Sequence, residues 1–208
     1  MSRLLARRHG LVWYSVDAHA FDHEHRAAAA GLHVLGTGPG DFDRKPMILE
    51  DIDALPVRTP VVVEGAFVTP AMAGTQAIWL LPSQAEQRTR LQHRNPDIDH
   101  EGFIWGWKLV NSQLEGTGVP TIHVDGQTPE QTADAVERHF TAVLPPSRPA
   151  TDPALIRLGN QQLAHRPTPQ PFACECARPD CTAVINLSPT ESAPLLSQQP
   201  PSITAPAH

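Results

Sequence analysis

The chain has 208 residues, of which 40% are hydrophobic and 18% charged, and this composition predicts a globular core with an appended segment. Sixteen Lys and Arg against 22 Asp and Glu give a net charge of −6, which argues against general attraction to nucleic acid or to anionic membranes. The basic start Met1–His9 is not followed by an apolar stretch, and no segment is long enough to span a bilayer, so we expect a cytoplasmic protein.

Up to residue 144, short apolar runs alternate with helical patterns. A first helix ends in the letters LLARRHG, and further helices are predicted at Phe21–Ala30, Met47–Leu55 and Phe103–Leu114 and after the capping residues Ser83 and Thr128. Strands are predicted at Leu11–Val16, Val61–Val63, Ala77–Leu81 and Thr121–Val124. Alternation of strand and helix predicts an α/β fold with a parallel sheet flanked by helices.

One glycine-rich segment looks like a nucleotide-binding motif but does not satisfy its requirements. Gly36, Gly38 and Gly40 surround Pro39, and Asp41 stands where a dinucleotide fingerprint needs its third glycine. The segment is therefore predicted to be a loop.

Proline usage divides the chain. Of the 22 prolines, thirteen lie between Pro145 and Pro206. Interior prolines remove hydrogen bonds from helices and sheets, so the sequence predicts an α/β domain at 1–144 and a largely disordered proline-rich tail at 145–208. Residues beyond Leu187 in particular are expected to be disordered.

Two predicted strands end in a carboxylate, Asp17 and Glu64. Ligands of open parallel sheets bind at the carboxyl ends of the strands, so these two residues are the leading catalytic candidates. A role in capping a helix or facing water is about equally compatible with each one alone. The helix after Ala77–Leu81 carries Arg88, Arg90 and Arg94, which are suited to gripping phosphate oxygens, although a solvated basic face is the commoner use of such residues.

In combination these features resemble the nucleoside and nucleotide kinase branch of the P-loop superfamily over roughly residues 2–144. The resemblance implies that Asp17 contacts the acceptor substrate or acts as a base, and that Glu64 assists Mg²⁺ or the acceptor. It also implies that Arg88, Arg90 and Arg94 form a lid over the phosphates of ATP. The expected function is phosphoryl transfer from ATP to a small molecule, without a nucleic-acid or membrane partner.

The phosphate-binding loop of that family is missing from the printed sequence. The motif G-x-x-x-x-G-K-[ST] needs a lysine after a glycine, and neither Lys45 nor Lys108 follows one. We therefore expect an N-terminally truncated kinase-like domain, impaired as written, which would be an active kinase if a P-loop is encoded upstream. We also expect the strands at Val61–Val63 and Ala77–Leu81 not to pair, because the strand that precedes the loop lies between them in the family.

Three cysteines cluster in the tail, at Cys174, Cys176 and Cys181, in a segment similar to a short F-x-C-E-C-x4-C stretch near the ends of various small bacterial proteins. Three thiolates supply three of the four ligands that zinc takes, and His165 is a candidate fourth ligand. Free thiols are an equally open alternative. His19 and His23 stand at ligand spacing too, but a polar first helical turn is favoured there over a zinc site.

Two functions therefore stay open from the sequence. The first is a small-molecule phosphotransferase that uses Asp17 and Glu64 with ATP and Mg²⁺. The second is a non-catalytic kinase-like binding or regulatory module with a metal- or redox-sensitive cysteine segment.

Overall fold

A computed structural model describes residues 1–32, 41–94 and 96–206, and the predicted loop at residues 36–40 lies outside these ranges. The described residues form nine helices and six strands. The helices are α1 (Ser2–His9), α2 (Ala20–Ala29), α3 (Lys45–Asp53), α4 (Pro70–Ala73), α5 (Gln84–Arg94), α6 (Glu101–Leu114), α7 (Pro129–His139), α8 (Pro153–Gln161) and α9 (Pro189–Leu196). The strands are β1 (Val12–Ser15), β2 (Val61–Glu64), β3 (Trp79–Leu81), β4 (Thr121–His123), β5 (Gln170–Ala173) and β6 (Val184–Leu187).

The four N-terminal strands pair in twos. β1 runs parallel to β2 with Ser15 opposite Glu64, and β3 runs parallel to β4 with Trp79 opposite Thr121. Within the described ranges β2 and β3 are not hydrogen-bonded to each other. The predicted parallel pairing is thus confirmed as two small two-stranded sheets rather than as one sheet, with the expected interruption between the second and third strands.

The helix signals of the sequence work as predicted. Gly10 ends α1 in the left-handed conformation, with φ of 63°, which is accessible to glycine without strain. Before α7, the Thr128 hydroxyl accepts a hydrogen bond from the Gln131 amide while the Gln131 side chain accepts one from the Thr128 amide. The Ser83 hydroxyl accepts a hydrogen bond from the Glu86 amide at the start of α5. These bonds satisfy amides that the first helical turn leaves without partners.

The C-terminal segment is folded, so the prediction of a largely disordered proline-rich tail is wrong. Pro153 and Pro189 are the first residues of α8 and α9, where the missing amide hydrogen costs nothing. The Asp152 side chain caps α8, and Ser188 forms a capping box with Glu191 at the start of α9. These prolines start helices that then pack on the rest of the protein.

One hydrophobic cluster joins both halves of the chain. β5 pairs with β6 in antiparallel fashion, and Ile203, well beyond Leu187, is only 2% exposed. The buried members of the cluster are Ala6, Leu11, Trp13, Leu163, Phe172 and Ile203. Residues on both sides of the predicted boundary at 144/145 therefore share one core.

The side chain of Gln162, just after α8, completes the edge of β1 that faces away from β2. Its amide nitrogen donates to the Trp13 carbonyl at 2.6 Å, and its oxygen accepts from the Ser15 amide at 3.0 Å. Alternate residues of a strand point their backbone groups to opposite edges, so Gln162 takes the place of a neighbouring strand here.

None of the helices in the described ranges is both long and apolar enough to cross a membrane.

Candidate functional site

Asp17 and Glu64 lie side by side at the carboxyl ends of β1 and β2. Glu64 is the last residue of β2, and the Val16 amide donates to its carbonyl oxygen at 2.8 Å. The chain then turns at Gly65, where φ is 145° and an added Cβ atom would lie 2.5 Å from Asp17 Oδ1. Glycine at position 65 therefore leaves room for the Asp17 carboxylate beside the end of β2.

The surroundings of both carboxyl groups oppose their negative charge. Burial raises the pKa of Asp17, and the backbone amides of Phe67 and Ala66 lower it by a smaller amount. Burial also raises the pKa of Glu64, a hydrogen bond from Ser15 opposes that rise, and the charge of Asp17 adds to it. Such a pair favours a bound proton, a cation or a hydroxyl donor.

Asp17 also has unused hydrogen-bonding capacity. Its Oδ1 atom is buried and has no hydrogen-bond partner in the structure. A buried acceptor without a donor is costly, so a ligand hydroxyl or cation at this oxygen would be favourable.

The three predicted lid arginines lie on α5, and all of them are exposed. Arg88 forms an ion pair with Glu101 at 2.8 Å, and Arg90 bonds to Glu86 and to the Val124 carbonyl, each at 2.7 Å. The contacts of Arg88 and Arg90 thus lie within α5, α6 and the end of β4. The described contacts do not bring the three arginines together with Asp17 and Glu64.

A partly buried polar network surrounds the Tyr14 hydroxyl of β1, and sequence reasoning missed its acidic member. Asp51 Oδ2 accepts from the Tyr14 hydroxyl at 2.6 Å and lies 3.0 Å from His23 Nε2. Arg26 donates to the other Asp51 oxygen at 2.7 Å. Although burial opposes ionisation, the bonds from His23, Tyr14 and Arg26 hold the pKa of Asp51 well below its usual range. Asp51 stands in the last turn of α3, so no strand end or motif marked it.

The histidines near α2 take part in packing and hydrogen bonding. His19 stacks on the Tyr14 ring, with 4.7 Å between centroids, and its Nε2 lies 3.3 Å from Gln162 Oε1. His23 is fully buried next to Asp51. The arrangement agrees with the predicted polar first turn rather than with a zinc site.

Cys174, Cys176 and Cys181 come together as the sequence predicted. Their sulfur atoms all lie within 4.8 Å of one another, and Cys174 and Cys181 are buried. Three thiols at such distances can hold a metal ion. Within the part of the chain that the structure describes, this is the one group of three or more such ligands.

His165 is not the fourth member of that group. Its side chain is exposed and is absent from the set of neighbouring ligand atoms. The prediction that His165 completes the site is therefore not supported by its position.

Arg7 of α1 anchors the cysteine segment. Its guanidinium donates to the Cys176 carbonyl at 2.8 Å and to the Arg178 carbonyl at 3.0 Å, and also to the Cys174 carbonyl. It lies 3.8 Å from the Cys176 sulfur as well. Burial raises the pKa of the Cys181 thiol to about 11, and the charge of Arg7 partly opposes this rise.

A cavity of about 170 Å³ lies between α1, α8 and the cysteine segment. The residues that line it include Arg3, Arg7, Trp13, Cys181 and Ala183. The cavity thus combines cationic, aromatic and sulfur-bearing walls.

A scan against protein-family models found no match to this chain, and searches of curated proteins and of solved structures found none either. The functional argument therefore rests on the residues and their geometry.

Proposed function

We propose that this chain is a kinase-like α/β protein whose acidic pair, Asp17 and Glu64, binds the acceptor group of a small-molecule substrate. The observation that supports this most directly is the meeting of two partly buried carboxyl groups at the carboxyl ends of adjacent parallel strands. Their raised pKa values and the free Asp17 Oδ1 favour a hydroxyl-bearing ligand.

ATP and Mg²⁺ enter this proposal through the resemblance to P-loop kinases. Carboxylate oxygens such as those of Asp17 and Glu64 are the donors that Mg²⁺ takes in proteins. The printed sequence has no G-x-x-x-x-G-K-[ST] motif to cradle the phosphates. Phosphoryl transfer by this chain is therefore expected to be impaired, and a non-catalytic binding module is the alternative that shares the same acceptor site.

Thermal unfolding with a panel of nucleosides, sugars and other small hydroxyl compounds tests the acceptor site. We expect one class to raise the unfolding temperature saturably, because ligand binding to the native state stabilises it. Asp17→Asn and Glu64→Gln should each abolish that rise, since each removes a carboxylate while keeping its shape. ATP alone should cause no comparable rise.

The matched control is Asp22→Asn on α2, because the Asp22 side chain is 60% exposed and pairs only with its helix neighbour Arg26 in the described contacts. It should leave ligand stabilisation unchanged. If the stabilisation persists in both site variants, or if no compound stabilises the chain, the proposed acceptor site is wrong. Micromolar ATP affinity by calorimetry, unaltered in Arg90→Ala and Arg94→Ala, would show that the nucleotide part is misjudged.

A second proposal concerns the cysteine group, which we propose binds Zn²⁺ and stabilises the C-terminal segment. The sulfur atoms lie within 4.8 Å of one another, and zinc holds thiolates at about 2.3 Å, so modest side-chain adjustment brings all three to one ion. Such a site requires reduced cysteines, which fits the cytoplasmic location predicted from the sequence.

Metal analysis of the purified chain tests this proposal. We expect about one equivalent of zinc per chain, lost in Cys176→Ser because two thiolates hold zinc far less tightly than three. Asp180→Asn is the matched control, because Asp180 lies next to Cys181 but its exposed carboxylate pairs with Arg8. A metal-free protein with three freely titratable thiols would contradict the zinc site.

A further inference from the structure

The proposed zinc site lacks a fourth protein ligand in the described part of the chain. Tetrahedral zinc takes four donors, and sites with three protein ligands leave the fourth position to water or another small ligand. The described ligand group contains only Cys174, Cys176 and Cys181, and His165 lies outside it. The neighbouring cavity indicates which kind of molecule could supply the fourth ligand.

The cavity adjoins the cysteine group at Cys181, which forms part of its wall together with Thr182 and Ala183. Cys174 and Cys176 do not line it. At about 170 Å³ the cavity has room for several water molecules. Typical drug-sized pockets are larger, at roughly 300 Å³ or more. The space therefore suits a short organic molecule.

The polar groups of the cavity suit a negative charge. Arg3 and Arg7 both contribute to its walls, and the Arg3 guanidinium lies 4.2 Å from the centre of the Trp13 ring. The Trp13 indole nitrogen is buried and has no hydrogen-bond partner in the structure. The positive charges of Arg3 and Arg7 would stabilise a bound anion.

We propose that this cavity binds a small organic anion whose thiolate or carboxylate atom takes the fourth position on the metal. This inference rests on the proposed metal site. The apolar part of the ligand would contact Leu4, Leu11 and Leu155, which also line the cavity. The metal centre thereby becomes a ligand-responsive site as well as a structural one.

Cobalt(II) in place of zinc gives a visible absorption spectrum that reports changes at the metal, and the full chain loaded with cobalt is the test material. Acetate and mercaptoacetate are the probes, and ethanol is the uncharged control. We expect a saturable spectral shift with at least one anion and none with ethanol. A shift with mercaptoacetate alone identifies a thiolate donor, and a shift with both identifies a carboxylate. Cobalt content is measured again after each titration, so that metal loss is not mistaken for binding.

Two variants test the assignment to this cavity. Arg3→Gln should weaken the anion about fivefold or more, because it removes a charged partner. Ala183→Leu should abolish the response by filling the space. Arg8→Gln is the control for Arg3→Gln, because Arg8 pairs with Asp134, Glu137 and Asp180 and does not line the cavity.

The outcomes separate the two proposals. A chain that binds no cobalt overturns both the metal site and the anion site. A chain that binds cobalt but shows no response to either anion overturns the anion site alone. The anion site alone is also overturned if His165→Ala or His208→Ala changes the cobalt spectrum without added anion, since the fourth ligand would then be a histidine of the chain. His208 lies outside the described residues. An unchanged spectrum in both histidine variants supports the proposal.

Discussion

Replacing Glu175 by Gln is expected to lower the free energy of unfolding by about 3 to 5 kcal/mol, because it leaves a buried arginine without its counter-charge. Arg157 on α8 donates two hydrogen bonds to the Glu175 carboxylate, both at 2.6 Å. The Arg157 and Glu175 side chains are only 4% and 0% exposed. Asn160 Nδ2 and the Ile203 amide donate to the same carboxylate, at 3.0 and 2.9 Å.

Urea unfolding of Glu175→Gln and the parent chain measures this loss. Asp53→Asn is the matched control, because the Asp53–Arg58 pair is 84% and 79% exposed and its loss should change stability by no more than about 0.5 kcal/mol. Equal stability of the two variants would show that the Arg157–Glu175 pair does not hold the C-terminal segment in place.

Local sequence signals predicted the regular structure of the first 144 residues well. The capping box at Thr128, the serine cap at Ser83, the left-handed glycine after α1 and the short apolar runs depend on neighbours within a few residues. All four predicted strands are present. The approach of Asp17 to Glu64 followed from a general rule about parallel strands, which needs no knowledge of side-chain packing.

Proline content is a poor guide to order in the C-terminal segment, because two of its prolines are the first residues of helices. The sequence contains the correcting signals: Asp152-Pro153 and Ser188-Pro189 each place a capping residue before a proline. What the sequence cannot display is the partner of each buried polar group. Gln162 bonds to Trp13 across 149 positions, and Arg7 bonds to the Cys176 carbonyl across 169. Such contacts depend on the folded arrangement rather than on local pattern.

The difference between local and long-range contacts also explains which parts of the candidate sites the sequence predicts. The spacing of Cys174, Cys176 and Cys181 is short enough for one turn of chain to bring them together. Asp51 joins Tyr14 and His23 only because α3 packs beside β1 and α2. The contacts of Asp51 with Tyr14 and His23 are therefore visible only in the folded structure.

Ile203→Ala is expected to lower the free energy of unfolding by about 2 to 5 kcal/mol, because it removes a buried side chain and leaves a cavity. Ile203 is 2% exposed and packs in the cluster that contains Trp13 and Phe172. Its carbonyl also accepts from the Glu175 amide at 2.6 Å. A residue five positions from the last one in the printed sequence is thus expected to stabilise the cluster to which Trp13 of β1 belongs.

Ile98→Ala is the matched control for this prediction, since it makes the same chemical change at a side chain that is 46% exposed. It should change the free energy of unfolding by no more than about 0.5 kcal/mol. Urea unfolding, followed by tryptophan fluorescence, compares the two variants, and because Trp13 belongs to the Ile203 cluster its environment should also change in the native Ile203→Ala protein. Equal stability of the two variants would mean that residues beyond Leu187 are not docked on the core in solution.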